Sequence, residues 1–543
     1  MFVVAWTRWV VRRASERILP TRPPFHLVLP GLMVAGAMLL PLVYLAIRAL
    51  GADPQTWAQL LHARLLGVLG RSLLLAASVT LSANAIAIPL AWLTTRSDLP
   101  GRRFWAVMTA LPLVIPSYVG AFTLVAALGP RGILQQVLAG PLGIERLPEI
   151  YGFSGAWLAL TLFAYPYVLL SVRAALQGLD PALEEAARNL GDAPFAVFRR
   201  VTLPQLRPAL ASGSLLVALY VLSDFGAVSI LRYTTFTRAI YMQYTASFDR
   251  HLAALLALAL VGLTLLLLAA EGRTRGRARL YYRSTAHRRM RLAHLGAWRW
   301  PALAFCSLLM LLALGIPLGV IGYWLVRGLQ AGESVRLWIG PAWRSMLASG
   351  LAALLALLGA LPVSLLVTRF PGRFSRFVER ASFIGYALPG IVIALSLVFF
   401  GANFAPILYQ TLALLVFAYV VRFMPQAVSA LRATAAQLSP RIEEAARGLG
   451  AGVPRVLFTI IIPLVRPGLL AGVALVFLTS MKELPATLLL APTGYDTLAT
   501  RVWSAAQEMF YARAAAPALL LVAVSALSLG LILGREGTTT VDR

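Results

Sequence analysis

Apolar residues in this chain come in long runs separated by short polar segments. The runs fall near 25–50, 68–95, 104–128, 151–177, 209–231 and 252–271. They resume near 301–326, 345–368, 377–400, 405–431, 467–491 and 514–534. About 20 residues rising 1.5 Å each cross a hydrocarbon core, so every run predicts a transmembrane helix. The pattern implies an all-α polytopic membrane protein of about 12 spans, six in each half. Pro89, Pro112, Pro116 and Pro166 lie inside runs. Neighbouring helices are expected to satisfy the carbonyls these prolines free.

The polar segments set a topology. Residues 1–24 carry Arg8, Arg12, Arg13, Arg17 and Arg22. The run after them is too long for a signal peptide, and no small-residue cleavage site follows it. An uncleaved first span with a cytoplasmic N-terminus is expected. Arg96, Arg102 and Arg103 mark a further inner loop. The stretch from Glu271 to Trp300 is the most basic of all, with nine arginines from Arg273 to Arg299. It reads as an inward-facing linker beside anionic lipid. Arg131, Arg146, Arg232 and Arg238 fall in outer loops, but the inner loops carry more. The expected organisation is a cytoplasmic segment at 1–24, a first transmembrane repeat at 25–271 and a basic linker at 272–300. A second repeat at 301–534 and a cytoplasmic tail at 535–543 complete it.

Two polar stretches read as copies of each other. Leu179–Gly213 is LDPALEEAARNLGDAPFAVFRRVTLPQLRPALASG, and Leu438–Gly472 is LSPRIEEAARGLGAGVPRVLFTIIIPLVRPGLLAG, aligned without gaps 259 residues apart. Pro181 and Pro440 suit the first turn of a helix, where no amide donor is lost. Asp180 and Ser439 precede them as candidate N-caps. Acidic residues in the first turn suit the positive end of the helix dipole. Gly191 and Gly450 end the helix as left-handed caps. A second short helix is expected to run to Pro204 or Pro463. The repeat extends further: TTRSDLPGRR near Arg96 answers VTRFPGR near Arg369, and FAYPYVLL answers FAYVVRFM. Six spans per copy give both halves one orientation, so the repeats are parallel and both loops and both termini are expected in the cytoplasm.

These stretches resemble the cytoplasmic-loop signature of permease subunits of ATP-binding-cassette importers. That signature is Glu-Ala-Ala, three residues, Gly, nine residues and Ile-x-Leu-Pro. Glu185, Ala186, Ala187, Gly191, Val201, Leu203 and Pro204 match it in the first copy. Glu444, Ala445, Ala446, Gly450, Ile460, Ile462 and Pro463 match it in the second. Val stands for Ile in one and Ile for Leu in the other. The resemblance implies a type I importer permease fold in a bacterial inner membrane, with two permease domains fused in one chain. It also implies two copies of a separate ATPase, one docked on each loop, with ATP and Mg held there and not on this chain. A periplasmic or lipid-anchored binding protein would deliver the substrate. The implied coupling residues are the matched Glu, Ala, Gly and Pro positions together with Glu184 and Glu443. Glu185 and Glu444 would meet a basic residue of the ATPase in a charge-assisted contact. Dipole stabilisation alone is the plainer role for these carboxylates.

Composition narrows the classes. The chain is 59% hydrophobic, with 48 basic against 21 acidic residues and a net charge of +27. In a soluble protein that excess would suggest nucleic acid. Here the arginines cluster between apolar runs and write the topology instead. One cysteine, Cys306, excludes a disulfide framework within the chain. Lys482 is the sole lysine and Glu483 follows it, so no P-loop is present. Any ATP hydrolysis belongs to a partner, and no nucleophile–base or metal motif suggests an enzyme.

Among the charges inside runs, Asp224, Arg422, Lys482 and Glu483 stand out as candidates. Charges there are costly and often functional. Asp224 answers Glu483 at the 259-residue offset. They could line the substrate path or gate, or form structural ion pairs, Asp224 with a nearby Arg and Glu483 with Arg422 or Lys482. The strings Ser223 to Arg250 and Met481 to Glu508, with the fused length, resemble the ferric-iron permeases. Ferric iron prefers hard oxygen donors, which Asp224, Glu483, Tyr233, Tyr241 and Tyr244 could supply. Interfacial tyrosines also serve as membrane anchors. Thiamine and phosphonate permeases share a similar plan. Parallel six-span repeats also occur in ion-coupled secondary transporters, where Asp224 and Glu483 would be proton sites.

Overall fold

The computed structural model describes residues 23–51, 53–54, 57, 63–143, 145–247, 250–275, 292–333 and 338–538. The arginines of the N-terminal segment, those of the linker from Arg277 to Arg291 and the last five residues of the tail lie outside the described residues. Among the described residues the regular elements are helices, with one isolated bridge between Ser97 and Ala293.

In chain order the long elements are α1 (Phe25–Leu50), α2 (Ala63–Arg96), α3 (Ser117–Leu128) and α4 (Phe153–Gly178). The loop helix α5 (Pro181–Asn189), then α6 (Leu203–Ser223) and α7 (Arg250–Arg275) complete the first half. The second half contains Arg299–Met310 and Ile316–Gln330, then α8 (Ile339–Arg369) and α9 (Leu412–Ala435). The second loop helix α10 (Pro440–Gly448), α11 (Ile462–Met481) and α12 (Tyr511–Thr538) end it. Among the described residues ten helices are long and apolar enough to cross a membrane. A pair bent by 106°, Arg373–Ala387 with Gly390–Phe404, would bring the number to eleven, and Tyr511–Leu527 is a shorter apolar helix.

Several runs differ in detail from the sequence expectation. The run at 104–128 is not one helix. Arg102–Met108 and a 3-10 turn at Leu111–Val114 precede α3, and the extended Pro116 separates them from it. Pro112 and Pro116 each lack an amide donor, so a helix ladder cannot run through both. The run at 209–231 stops at Ser223, because Asp224 is extended with ψ 132° and starts a new short helix, Gly226–Ile230.

The described residues form two compact units, each drawing on chain from both sides of the basic linker. One holds α1 through Tyr44, Met346–Tyr386 and Leu397–Glu483. The other holds Leu45–Ser345, Ala387–Ser396 and Leu484–Arg543.

Within each unit the same hairpin recurs: a span, a loop helix and a returning span. In one unit α4 and α6 approach so closely that a Cβ on Gly213 would lie 2.9 Å from the Val168 Cα. In the other, Gly472 sits at the same place against the Ala427 Cα, at 3.4 Å. Small residues allow this approach, as in membrane helix pairs generally. Tyr165 and Tyr419, from the two FAY strings, are buried. The Tyr165 hydroxyl donates to the Thr109 carbonyl at 2.7 Å, as a buried phenol requires.

Candidate coupling loops and membrane charges

The loop helix α5 is built as its residues dictate. Asp180 is extended, and its carboxylate accepts from the Ala182 amide at 3.0 Å. Pro181 opens the helix without losing a donor. Gly191 closes it with φ +92°. The Gly191 amide donates to the Arg188 carbonyl at 3.0 Å and the Asp192 amide to Ala187 at 3.1 Å, the pair of bonds of a Schellman cap. In α10 the same cap forms at Gly450, φ +87°, with Gly450 bonded to Arg447 at 2.9 Å and Ala451 to Ala446 at 3.0 Å. Ser439 holds the N-cap backbone geometry but makes no side-chain bond, so the capping expected of it is not made.

The helices after the loops do not stop at Pro204 and Pro463, as the sequence suggested. Pro194–Val197 passes through a π turn, Phe198–Thr202, directly into α6. Val453–Val456 passes through Leu457–Ile461 into α11 in the same way. The Leu203 amide reaches back to the Phe198 carbonyl, and the Ile462 amide to Leu457. Proline removes one donor, and the wider turn absorbs that gap without breaking the helix. Pro204 is half-buried and Pro463 exposed.

The loop helices divide into a gripped side and an open side. Glu184 lies 3.9 Å from Arg96 and 3.8 Å from Arg188, and accepts from the Thr202 hydroxyl at 3.0 Å. Glu443 lies 2.6 Å from Arg369. Ala187 is buried, and Ala446 packs on a small core of Leu365, Ala435, Val456, Ile461 and Val465. Ala186, Ala445 and Glu444 are exposed, and Glu185 is half-buried. Leu190 and Leu449, one before each cap glycine, are 88% and 91% exposed. Leu183, Phe195 and Ile442 are exposed as well. The sequence reading passed over these leucines. Their signal is an apolar residue held at the same place in both copies, directly before the cap glycine.

A second tie flanks the first loop. The Ala293 amide donates to the Arg96 carbonyl at 2.8 Å, and the Asp98 amide to the Ala293 carbonyl at 3.1 Å. Asp98 accepts from the Leu295 amide at 2.9 Å and lies 2.5 Å from the His294 ring. The Leu295 amide, then His294, hold the Asp98 carboxyl below its ordinary range. The end of the basic linker is thus fastened to the turn that follows α2.

The charges within the runs are placed differently in the two halves. Asp224 is 7% exposed and sits between α6 and Gly226–Ile230. One carboxylate oxygen accepts from the Ala227 and Val228 amides at 3.0 and 3.2 Å, and the other from the Ser117 hydroxyl. The Asp224 carboxylate thus caps the short helix Gly226–Ile230. Glu483 is 5% exposed and lies 3.2 Å from the Arg422 Nε, which is the ion pair expected of it. Lys482 is the C-cap residue of α11.

Tyr233 donates to the Arg71 carbonyl at 3.2 Å and meets the Phe153 ring edge-on. Tyr241 packs on Phe225, with ring centroids 4.8 Å apart, and Tyr244 is half-buried. Among the described residues no group of three or more His, Cys, Asp or Glu could hold a metal ion.

Ten helices among the described residues, long and apolar enough to cross a membrane, with two exposed loop helices, describe a polytopic membrane protein. The chain belongs to the family of binding-protein-dependent transport system inner membrane components, whose model matches residues 83–335 and 360–534. Members of this family are permeases, not enzymes, and as a class they work with an ATP-binding-cassette ATPase and a substrate-binding protein. The chain is 35% identical to the Fe(3+)-transport system permease protein FbpB 2 of Haemophilus influenzae over 95% of its length and 99% of that protein's. It is 24% identical to the ferric transport system permease protein FbpB of Actinobacillus pleuropneumoniae, over 87% of this chain and 72% of that one. It is also 35% identical to the molybdenum transport system permease protein ModB of Escherichia coli, over 25% of this chain and 58% of that one.

Proposed function

We propose that this chain is the permease of an ATP-driven importer in a bacterial inner membrane, carrying ferric iron from periplasm to cytoplasm. The observation that carries the substrate is the end-to-end similarity to a permease named for Fe(3+) transport, at 99% of its length. The similarity to the molybdenum permease spans 25% of this chain.

In this reading the two halves are parallel six-helix repeats of 12 spans in all, with termini, linker and both loops in the cytoplasm. The gapless repeat of the loop stretch at a 259-residue offset supports that arrangement. Two ATPase copies dock, one on α5 and one on α10, and hold ATP and Mg. The open faces carrying Leu190 and Leu449 supply apolar contact, and Glu185 and Glu444 supply charge. Alternating access follows when the ATPases shift the loop helices. Asp224, Arg422, Lys482 and Glu483 shape the pathway by fixing where α6 and α11 end.

The test is reconstitution in liposomes with the co-purified ATPase and candidate binding proteins. They are loaded in turn with ferric iron, molybdate, sulfate, thiamine or a phosphonate. Stimulated ATP hydrolysis with uptake only for the ferric form is the expected result. Stimulation only by another loaded protein reassigns the substrate. Uptake driven by a proton gradient without ATP would replace the importer reading with a secondary transporter.

A further inference from the structure

The arginine that ends the long helix before each loop is in an unusual position. Arg96 is the last residue of α2 and Arg369 the last of α8. Both side chains are nearly buried, at 5% and 9% exposed. Burying a guanidinium is costly unless an opposite charge or a carbonyl lies close to it.

Each reaches two parts of its own loop hairpin. The Arg96 Nη2 donates to the Leu176 carbonyl at 2.8 Å, at the end of α4, and lies 3.9 Å from the Glu184 Oε1 in the first turn of α5. The Arg369 Nη1 donates to the Leu438 carbonyl at 3.0 Å, immediately before α10, and its Nη2 lies 2.6 Å from the Glu443 Oε1. The two units contain the same device built separately. A third segment, the long helix itself, is thereby joined to a hairpin with which it shares no short connection.

A second arginine braces the same region in each unit. Arg173 on α4 donates to the Ala106 carbonyl, and Arg432 on α9 pairs with Glu379, each in the short helix that follows α2 or α8.

We infer that Arg96 and Arg369 are positioning residues that transmit force: each clamps its loop helix to the end of a long membrane helix, so that displacement of the loop helix moves that membrane helix. This rests on the reading of α5 and α10 as ATPase-docking helices. Glu184 and Glu443 thus face inward as the fixed end of the lever, while Glu444 and the exposed leucines belong to its outer end. A planar fork reaching a carbonyl and a carboxylate at once suits this role, and the ammonium of lysine does not reproduce it. The clamp is charged and buried, so a helix pulled from it would leave an uncompensated guanidinium. Loop and long helix therefore move together.

The experiment uses the full permease with its ATPase and binding protein in liposomes, comparing R96Q, R369Q, R96K and R369K with wild type. The expected result is normal retention of the ATPase and continued hydrolysis. Substrate moved per ATP should fall about tenfold or more, a loss of about 1.4 kcal/mol of coupling. R96K and R369K should recover only part of it. R96Q and R369Q that transport at wild-type stoichiometry would overturn the clamp while leaving ATPase docking intact. An ATPase that fails to co-purify with the wild-type chain would instead sink the docking reading beneath it. Should the single variants fail to reach the membrane, R369E combined with E443R decides. Restored assembly and coupled transport support the clamp, and no restoration overturns it.

Discussion

Leu190 and Leu449 are nearly bare at the ends of their helices, so changing them costs the fold little. Leu190→Asp and Leu449→Asp should shift stability by under about 0.5 kcal/mol. Retention of the ATPase should fall about tenfold or more, read by co-purification. Gly191 and Gly450 act through the backbone instead. A branched side chain at positive φ costs about 1–2 kcal/mol. Gly191→Val is expected to reach the membrane yet retain less ATPase, and normal retention would contradict the coupling role of this turn. Asp98 has a pH signature. Its folded pKa is depressed, so its contribution is present above the unfolded value near 3.9 and is lost as pH falls through the folded one. Hydrogen exchange at the Ala293 and Leu295 amides should therefore quicken as pH drops below about 4 relative to an Asp98→Asn control.

At the scale of elements, the ends of α6 and α11 distinguish a cap from an ion pair. Asp224→Ala removes the acceptor for two buried amides and a hydroxyl and should cost about 1–3 kcal/mol. Glu483→Ala strands Arg422 and should cost about 3–5 kcal/mol, whereas Glu483→Ala with Arg422→Ala should cost less than the single change. Thermal unfolding in detergent, run beside uptake assays, checks both. Unchanged assembly and unchanged uptake in Asp224→Ala or Glu483→Ala would remove any part for that residue in the pathway. The loop helices were legible in sequence because caps are local. Pro, Glu and Gly at fixed spacing close a helix whatever surrounds it. The course of the chain after the loops was not. Pro204 and Pro463 read as stops, yet a π turn carries the helix past each, because packing along α4 and α9 outweighs one missing bond. Arg96 and Arg369 read only as markers of an inner loop, since their partners lie 88 and 74 residues away in sequence.

For the whole molecule the decisive prediction is sidedness. Cys306 is the single cysteine and is buried, so Cys306→Ser gives a clean background for Leu190→Cys and Leu449→Cys. A membrane-impermeant thiol reagent should label both only from the cytoplasmic face. Labelling of either from outside would end the parallel-repeat arrangement.

The sequence by itself determined that the chain is helical and crosses a membrane many times, because apolar run length and positive charge act residue by residue. It also determined the two loop helices, because a repeat compares the chain with itself. Only the tertiary structure decided which distant residues hold Glu184 and Glu443, that Asp224 caps a short helix and that Glu483 lies against Arg422, and which chain segments make each compact unit. Those outcomes depend on contacts between distant segments, and no local pattern of residues encodes a distance.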